Sequence, residues 1–278
     1  MTQFRIAGCN VQYTRRRFAD FVEAQRGLGI KTIEFVAQVP HIWCDHMGWE
    51  DETPVKTALE RAEIGVAAFT PKLYRYSTCA APGSSQRTHS AEYFANAIKL
   101  AKRLSAPVLC IDVGGGCFDA PAEILWESCR KTLVELCALA EDVGINLAMS
   151  SASPSDSPIL TTLQEIGKMK KEVGHKNLKA VLDTRAAGVM GEKIGEWFDA
   201  FGEDIALVRF SDGNYSGYRV WGEGCLPCGG FLREIKECGY GGVLSMYRGG
   251  ERDVADPVGA DEKNYSYLSE ALEKICLR

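Results

Sequence analysis

Eight short apolar runs, each followed by a longer stretch of helical pattern, constrain this 278-residue chain more than any other feature. The runs are FRIAGCN (4–10), TIEFVA (32–37), GVAAFTP (65–71), PVLCIDV (107–113), INLAMSS (145–151), LKAVLDT (178–184), IALVRFS (205–211) and GVLSMYR (242–248). Each is nearly continuous in apolar residues, as a parallel strand must be when helices cover one side and a packed interior the other. Between them, AEYFANAIKLAKRL (91–104) and AEILWESCRKTLVELCALAEDVG (122–144) repeat apolar residues at three and four, with Gly144 where a helix stop is expected. Strand–helix alternation implies parallel strands joined by right-handed crossovers. Eight repeats close a barrel, so the expected fold is a single (β/α)8 TIM barrel domain over residues 1–278. A doubly wound sheet would more often show an early glycine-rich fingerprint, whereas the turn after the first run reads NVQYTRRR. No linker divides the chain. SSASPSDSP (150–158) and YSTCAAPGSSQRTHS (76–90) read as long loops on the functional face.

Charge and composition remove several function classes. A hydrophobic content of 46% supplies a core and excludes global disorder. The 32 basic and 37 acidic residues leave −5, without the basic excess of a nucleic-acid binder. No apolar run approaches the ~18 residues of a membrane span. The start, MTQFRIAGCN, lacks the apolar segment of a secretory signal. Eleven cysteines, an odd number, sit largely inside core runs such as PVLCIDV and LVELCALA. They read as reduced thiols, and the expected location is the cytoplasm.

In such barrels chemistry sits where strands end. The residues at those ends are Asn10, Glu34, Lys72, Tyr74, Asp112, Ser150, Asp156, Asp183, Arg185, Arg209, Asp212, Arg219, Tyr247 and Arg248. Other signals are weaker. His41, Cys44 and His46 share one loop and could either hold a transition metal or be ordinary loop residues beside the pocket. Trp43 and Trp49 would then cover a ligand or an oligomer contact. Trp221 reads as a sugar-stacking ring or as simple packing. Cys225 and Cys228 form a single C-x-x-C, read as the start of a helix rather than a zinc or redox pair. DVGGGCFD (112–119) lacks the Lys-Ser/Thr ending of a phosphate loop.

Four blocks carry a family resemblance. ESCRKTLVELCALAEDVGINLAMSS, LKAVLDTRAAG, LVRFSDGNYSGYRVWGEG and ECGYGGVLSMY resemble the helix-four to strand-eight half of the xylose-isomerase-like sugar isomerase/epimerase superfamily. With VPH at 39–41, the layout is closest to ketose 3-epimerases and fructoselysine 3-epimerase-like proteins. The resemblance implies one divalent metal, held by a Glu after strand five, an Asp after strand six, a His on strand seven and a Glu on strand eight. The two Glu also shuttle the substrate proton. Carried over, these positions are Ser150, Asp183, Arg209 and Tyr247, and a further acidic position is kept as Asp156. Serine and tyrosine hydroxyls are poor ligands and arginine is not one, so no metal and no other cofactor is expected.

The expected replacement is Arg209 paired with Asp183 in the old metal position. Arg185, Arg209, Arg219 and Arg248 together suit an anionic ligand such as a sugar phosphate. The competing reading is ion pairing with nearby carboxylates. Two functions follow. The first is an isomerase or epimerase on a carbohydrate without a divalent ion. Its candidate bases are Glu34, Asp156 and Asp183, its acid is Tyr247, and its binding residues are the four arginines with Trp221, His41 and Ser150. The second is a non-catalytic barrel that binds such a ligand or partners an active paralogue. The resemblance also implies pairing of barrels, as a homodimer or a heteromer. An endonuclease on the same fold would need several metal-binding residues and a basic surface, which this chain lacks.

Overall fold

The computed structural model describes residues 4–45, 47–72, 78–113, 117–249 and 252–276. Eight parallel strands close into a barrel. They are β1 (Arg5–Cys9), β2 (Thr32–Ala37), β3 (Gly65–Pro71), β4 (Val108–Asp112), β5 (Asn146–Ser150), β6 (Leu178–Asp183), β7 (Ile205–Arg209) and β8 (Val243–Ser245). Each pairs with the next, and β8 returns to β1. The helices are α1 (Phe18–Gly27), α2 (Thr53–Ala62), α3 (Ser84–Arg103), α4 (Ala122–Asp142), α5 (Leu163–Val173), α6 (Thr184–Val189), α7 (Ile194–Phe201), α8 (Cys228–Glu237) and α9 (Pro257–Cys276). All eight apolar runs became the eight barrel strands, because both faces of every strand are buried.

Two cores explain that double burial. Ile33, Phe35, Phe69, Leu109, Ile111, Leu147, Met149 and Leu182 face outward and pack under the helices with Phe21, Phe94, Leu133 and Trp197. Fully burying one such side chain contributes about 1.5–3 kcal/mol. Inside the barrel lie Ala7, Ala68, Val108, Cys110, Ala148, Val181, Leu207 and Val243. They are smaller, since an eight-stranded interior is just wide enough to be filled by side chains. Residues two apart on a strand share a face. Thr70, Asp112, Ser150, Asp183, Arg209 and Ser245 each stand two beyond a member of the inner cluster. The strand period therefore stacks a polar layer on the apolar plug, at the C-terminal end of the barrel.

One boundary differs from the sequence expectation. Helix α3 starts at Ser84, inside the stretch 76–90 expected to be a loop. Its first turns, SSQRTHS, carry no large apolar residue until Tyr93, so no periodicity marks them. Helix α4 ends as expected, with Gly144 at φ +74°, a left-handed conformation that costs glycine little. Among the described residues no helix is long and apolar enough to cross a membrane.

Candidate functional site

Arg209, at the end of β7, is the centre of the polar layer and is 2% exposed. Its Nε and Nη2 lie 2.9 and 2.8 Å from Glu34 Oε1 on β2. Its Nη1 donates to Asp112 Oδ1 on β4 at 2.8 Å. Its Nη2 also reaches Thr70 Oγ1 on β3 at 3.2 Å. Glu34 accepts further hydrogen bonds from Thr70 at 2.7 Å and from Ser245 at 2.6 Å. The Tyr247 ring caps the guanidinium, 4.2 Å from ring centroid to Cζ. Burial alone would disfavour the cation. The Asp112 and Glu34 carboxylates outweigh it and hold Arg209 well above its ordinary pKa.

Asp183 is also buried, but its partners are local. Oδ1 accepts the backbone N–H of Arg185 at 2.9 Å and of Ala186 at 3.0 Å, capping α6. Oδ2 accepts the Tyr218 hydroxyl at 2.8 Å. Burial raises the Asp183 pKa, against the opposing pull of Arg209 and these hydrogen bonds. The expected Arg209–Asp183 ion pair is therefore corrected. The arginine is long enough to cross the barrel to β2 and β4, while the short aspartate is held by its own helix start. Burial also pushes the Tyr218 and Tyr247 phenols up, so both remain protonated donors. Their rings meet edge to face at 5.4 Å.

The remaining expected residues scatter. Ser150 is buried at the end of β5, with its Oγ 3.4 Å from the Ser151 carbonyl. Asp156 is exposed in a turn. Arg185 donates to the Asn214 and Tyr215 carbonyls and stacks over Tyr218 at 5.0 Å. Arg219 bonds the Tyr218 carbonyl and Ser216 Oγ within its own ribbon, Asp212–Asn214 paired with Gly217–Arg219. Arg248 is 2% exposed and held by Asp253 at 3.1 Å and Asp261 at 2.8 Å. Asp261, on α9, also takes Tyr13 and Gln25 as donors. Arginines expected to converge on one anion thus spend donors on three protein networks, Arg185 and Arg219 sharing one, and the buried Nη1 of Arg248 has no partner among the described residues.

Trp221 is buried against Phe210, with ring centroids 4.3 Å apart. His41 is 8% exposed; Nδ1 lies 2.7 Å from Asn10 Nδ2 and Nε2 lies 3.2 Å from the Arg16 carbonyl. A carbonyl only accepts, so Nε2 carries the proton and Nδ1 accepts from Asn10. Both ring nitrogens are occupied, and burial raises the nearby Cys44 thiol to about 12. That favours the ordinary-loop reading of His41 and Cys44. Cys225 is exposed and Cys228 opens α8, both as free thiols. Tyr74, His46 and the glycines of DVGGGCFD lie outside the described residues. Among the described residues, no three His, Cys, Asp or Glu side chains group as a metal site.

Thr70, Ser245 and Tyr218 were not singled out from the sequence. Period two within β3 and β8 could have found the first two, since each stands two residues from an inward position. Tyr218 lies on the ribbon after β7 and carries no such signal.

A family model described as a xylose isomerase-like TIM barrel matches residues 22–274. Fructoselysine 3-epimerase of Shigella flexneri is 24% identical over 222 residues, covering 79% of this chain and 80% of the relative. The D-psicose 3-epimerase of Ruminiclostridium cellulolyticum is 25% identical over 150 residues, half of each chain. Among solved structures, L-ribulose 3-epimerase superposes with a TM-score of 0.83 at 16% identity, over 98% of this chain and 96% of the other. That likeness establishes the fold.

Proposed function

Because the chain belongs to the xylose isomerase-like TIM barrel family, we propose that it binds a small neutral carbohydrate at the barrel mouth without a divalent ion and without proton-shuttling chemistry. The observation that carries this reading is Arg209, locked between Glu34 and Asp112 beneath the Tyr247 ring. The donor set does not fit the family's metal. Ser150, Arg209 and Tyr247 stand at three of the four positions carried over by resemblance, and the retained Asp183 is bound by α6 and Tyr218. A guanidinium already occupies the centre between the two carboxylates and offsets one of their two charges.

The same positions decide the chemistry. Moving a proton between the two faces of an enediolate needs opposed bases, and a serine and a protonated tyrosine supply none. Glu34 is 0% exposed and holds four donors, so it does not reach a substrate. Fold supplies no chemistry by itself. Recognition groups remain: the Asp112 carboxylate, whose side chain is 33% exposed, can accept sugar hydroxyls. A carbohydrate ligand is supported by relatives named as epimerases of fructoselysine and D-psicose. A neutral one is supported by Arg185, whose donors go to the Asn214 and Tyr215 carbonyls, and by Arg248, whose Nε and Nη2 are paired with Asp253 and Asp261 although its buried Nη1 has no partner among the described residues. The described cysteines are free and mostly buried, which fits a reducing cytoplasm.

The test is a thermal-shift titration with D-fructose, D-psicose and D-tagatose, with Mn²⁺ or with chelator, alongside deuterium exchange at C3 of each ketose. The expected result is a saturable rise in Tm that chelator leaves unchanged, with no exchange. A response that requires Mn²⁺, or deuterium appearing at C3, overturns the proposal.

A further inference from the structure

The loop after β1 carries three consecutive arginines, Arg15, Arg16 and Arg17, all exposed. They edge a groove of about 530 Å³ between the starts of α1 and α2. Phe18, Pro40, Pro54, Val55 and Ala58 give it apolar walls. No Asp or Glu is among its described lining residues. Arg17 is engaged by Asp20 at 2.6 Å, whereas Arg15 and Arg16 make no ion pair among the described residues. In a chain with five more acidic than basic residues, this is a local excess of unpaired positive charge beside apolar surface.

The arrangement is also held in place. His41 lines the groove and gives its Nε2–H to the Arg16 carbonyl, while Asn10, itself bonded to Val36 on β2, fixes the other ring nitrogen. Burial holds the His41 ring below its ordinary pKa, so it serves as a neutral strut. A loop fixed before binding loses less entropy on binding.

We propose that this groove, on the outer side of the loops after β1 and β2 and sharing no lining residue with the Arg209 cluster, is a second ligand site for a phosphate monoester with an apolar body. The guanidinium forks of Arg15 and Arg16, which make no salt bridge among the described residues, match the several acceptor oxygens of a phosphate dianion. The apolar walls give the ester's body somewhere to bury its surface. Because the charges are exposed, binding weakens as salt shortens the screening length.

Isothermal titration of the full chain with phenyl phosphate, phenol and inorganic phosphate tests it. Phenyl phosphate is expected to saturate one site, at least tenfold tighter than either fragment and weaker in high salt. Arg15→Ala/Arg16→Ala is expected to lose at least tenfold in affinity with Tm unchanged, as both side chains are exposed. Ala58→Glu, which sets a carboxylate in the groove, is expected to abolish binding. Absence of saturable binding, equal binding by the double variant, or inorganic phosphate binding as well as phenyl phosphate overturns the site. The ketose titration is read on the same variants, so failure at the groove and failure at the mouth are told apart.

Discussion

The guanidinium of Arg209 has left water entirely, so its place in the barrel depends on the groups that replaced water. A buried pair is not a source of large net stability, because desolvation offsets most of the attraction. Breaking it is a different matter. Arg209→Met leaves Glu34 buried with no countercharge, and the expected cost is about 3–5 kcal/mol in urea unfolding. Adding Glu34→Gln removes the orphaned charge; its one carbonyl oxygen keeps an acceptor for either Thr70 or Ser245 while its NH2 must donate to the other hydroxyl, and the double variant should recover much of the loss. A single variant as stable as the parent would mean the pair is not formed. Sequence showed Arg209 as an inward residue unable to ligate a metal. It did not show the partner: Asp183 is the register neighbour of Arg209 on the adjacent strand, and reach, which depends on barrel diameter, decided for Glu34 and Asp112. His41 adds a pH effect. Its folded pKa is lowered by burial, so the unfolded chain takes up a proton near the ordinary value of about 6.5 while the folded ring resists. Stability is complete above that value and declines as pH falls through it towards the folded pKa. His41→Gln should flatten that decline in unfolding measurements across the window.

At the scale of an element, the loop after β7 is organised by one carboxylate. Asp212 accepts backbone N–H groups from Gly213 at 2.6 Å, Gly222 at 3.0 Å, Gly224 at 3.1 Å and Leu226 at 3.3 Å. This closes the path from the Tyr218 ribbon to α8 and so positions the hydroxyl that meets Asp183. Gly222 adopts φ +81°, and a Cβ on Gly224 would stand 1.9 Å from Asp212 Oδ1 and 2.6 Å from the Gly213 nitrogen. Gly224→Ala must displace the carboxylate, with an expected loss of about 1–3 kcal/mol. A destabilised loop should also weaken the ketose response; an unchanged Tm would show that the loop tolerates the extra atom. The block LVRFSDGNYSGYRVWGEG marked this loop in the sequence by resemblance. Its reason did not, since a carboxylate gathering four N–H groups across 14 residues leaves no local pattern. The polar opening turns of α3 were hidden for a related cause: a helix end that packs few apolar residues has no period to read.

For the whole molecule, the barrel was legible because burial on both faces of eight strands writes itself as eight apolar runs. The site was legible only as a set of positions, since what joins them crosses the interior between strands far apart in the chain. Arg209 on β7 ties to β2 and β4, each three strands away around the barrel. On the proposed reading it is a fixed cation that stands in for a bound ion. If that equivalence holds, the cation should be exchangeable. The variant Ser150→Glu/Arg209→His/Tyr247→Glu, with Asp183 retained, restores carboxylates and an imidazole at the ends of neighbouring strands. It also removes the one positive charge paired with Glu34 and Asp112. Divalent affinity then couples to folding, because a preformed site exists only in the native barrel. The triple variant is expected to melt well below the parent in chelator and to recover on adding Mn²⁺, whereas the parent responds to neither. A triple variant that folds cooperatively and ignores Mn²⁺ would show that these side chains do not converge on one point, and the register assigned to Ser150, Arg209 and Tyr247 would fall with it.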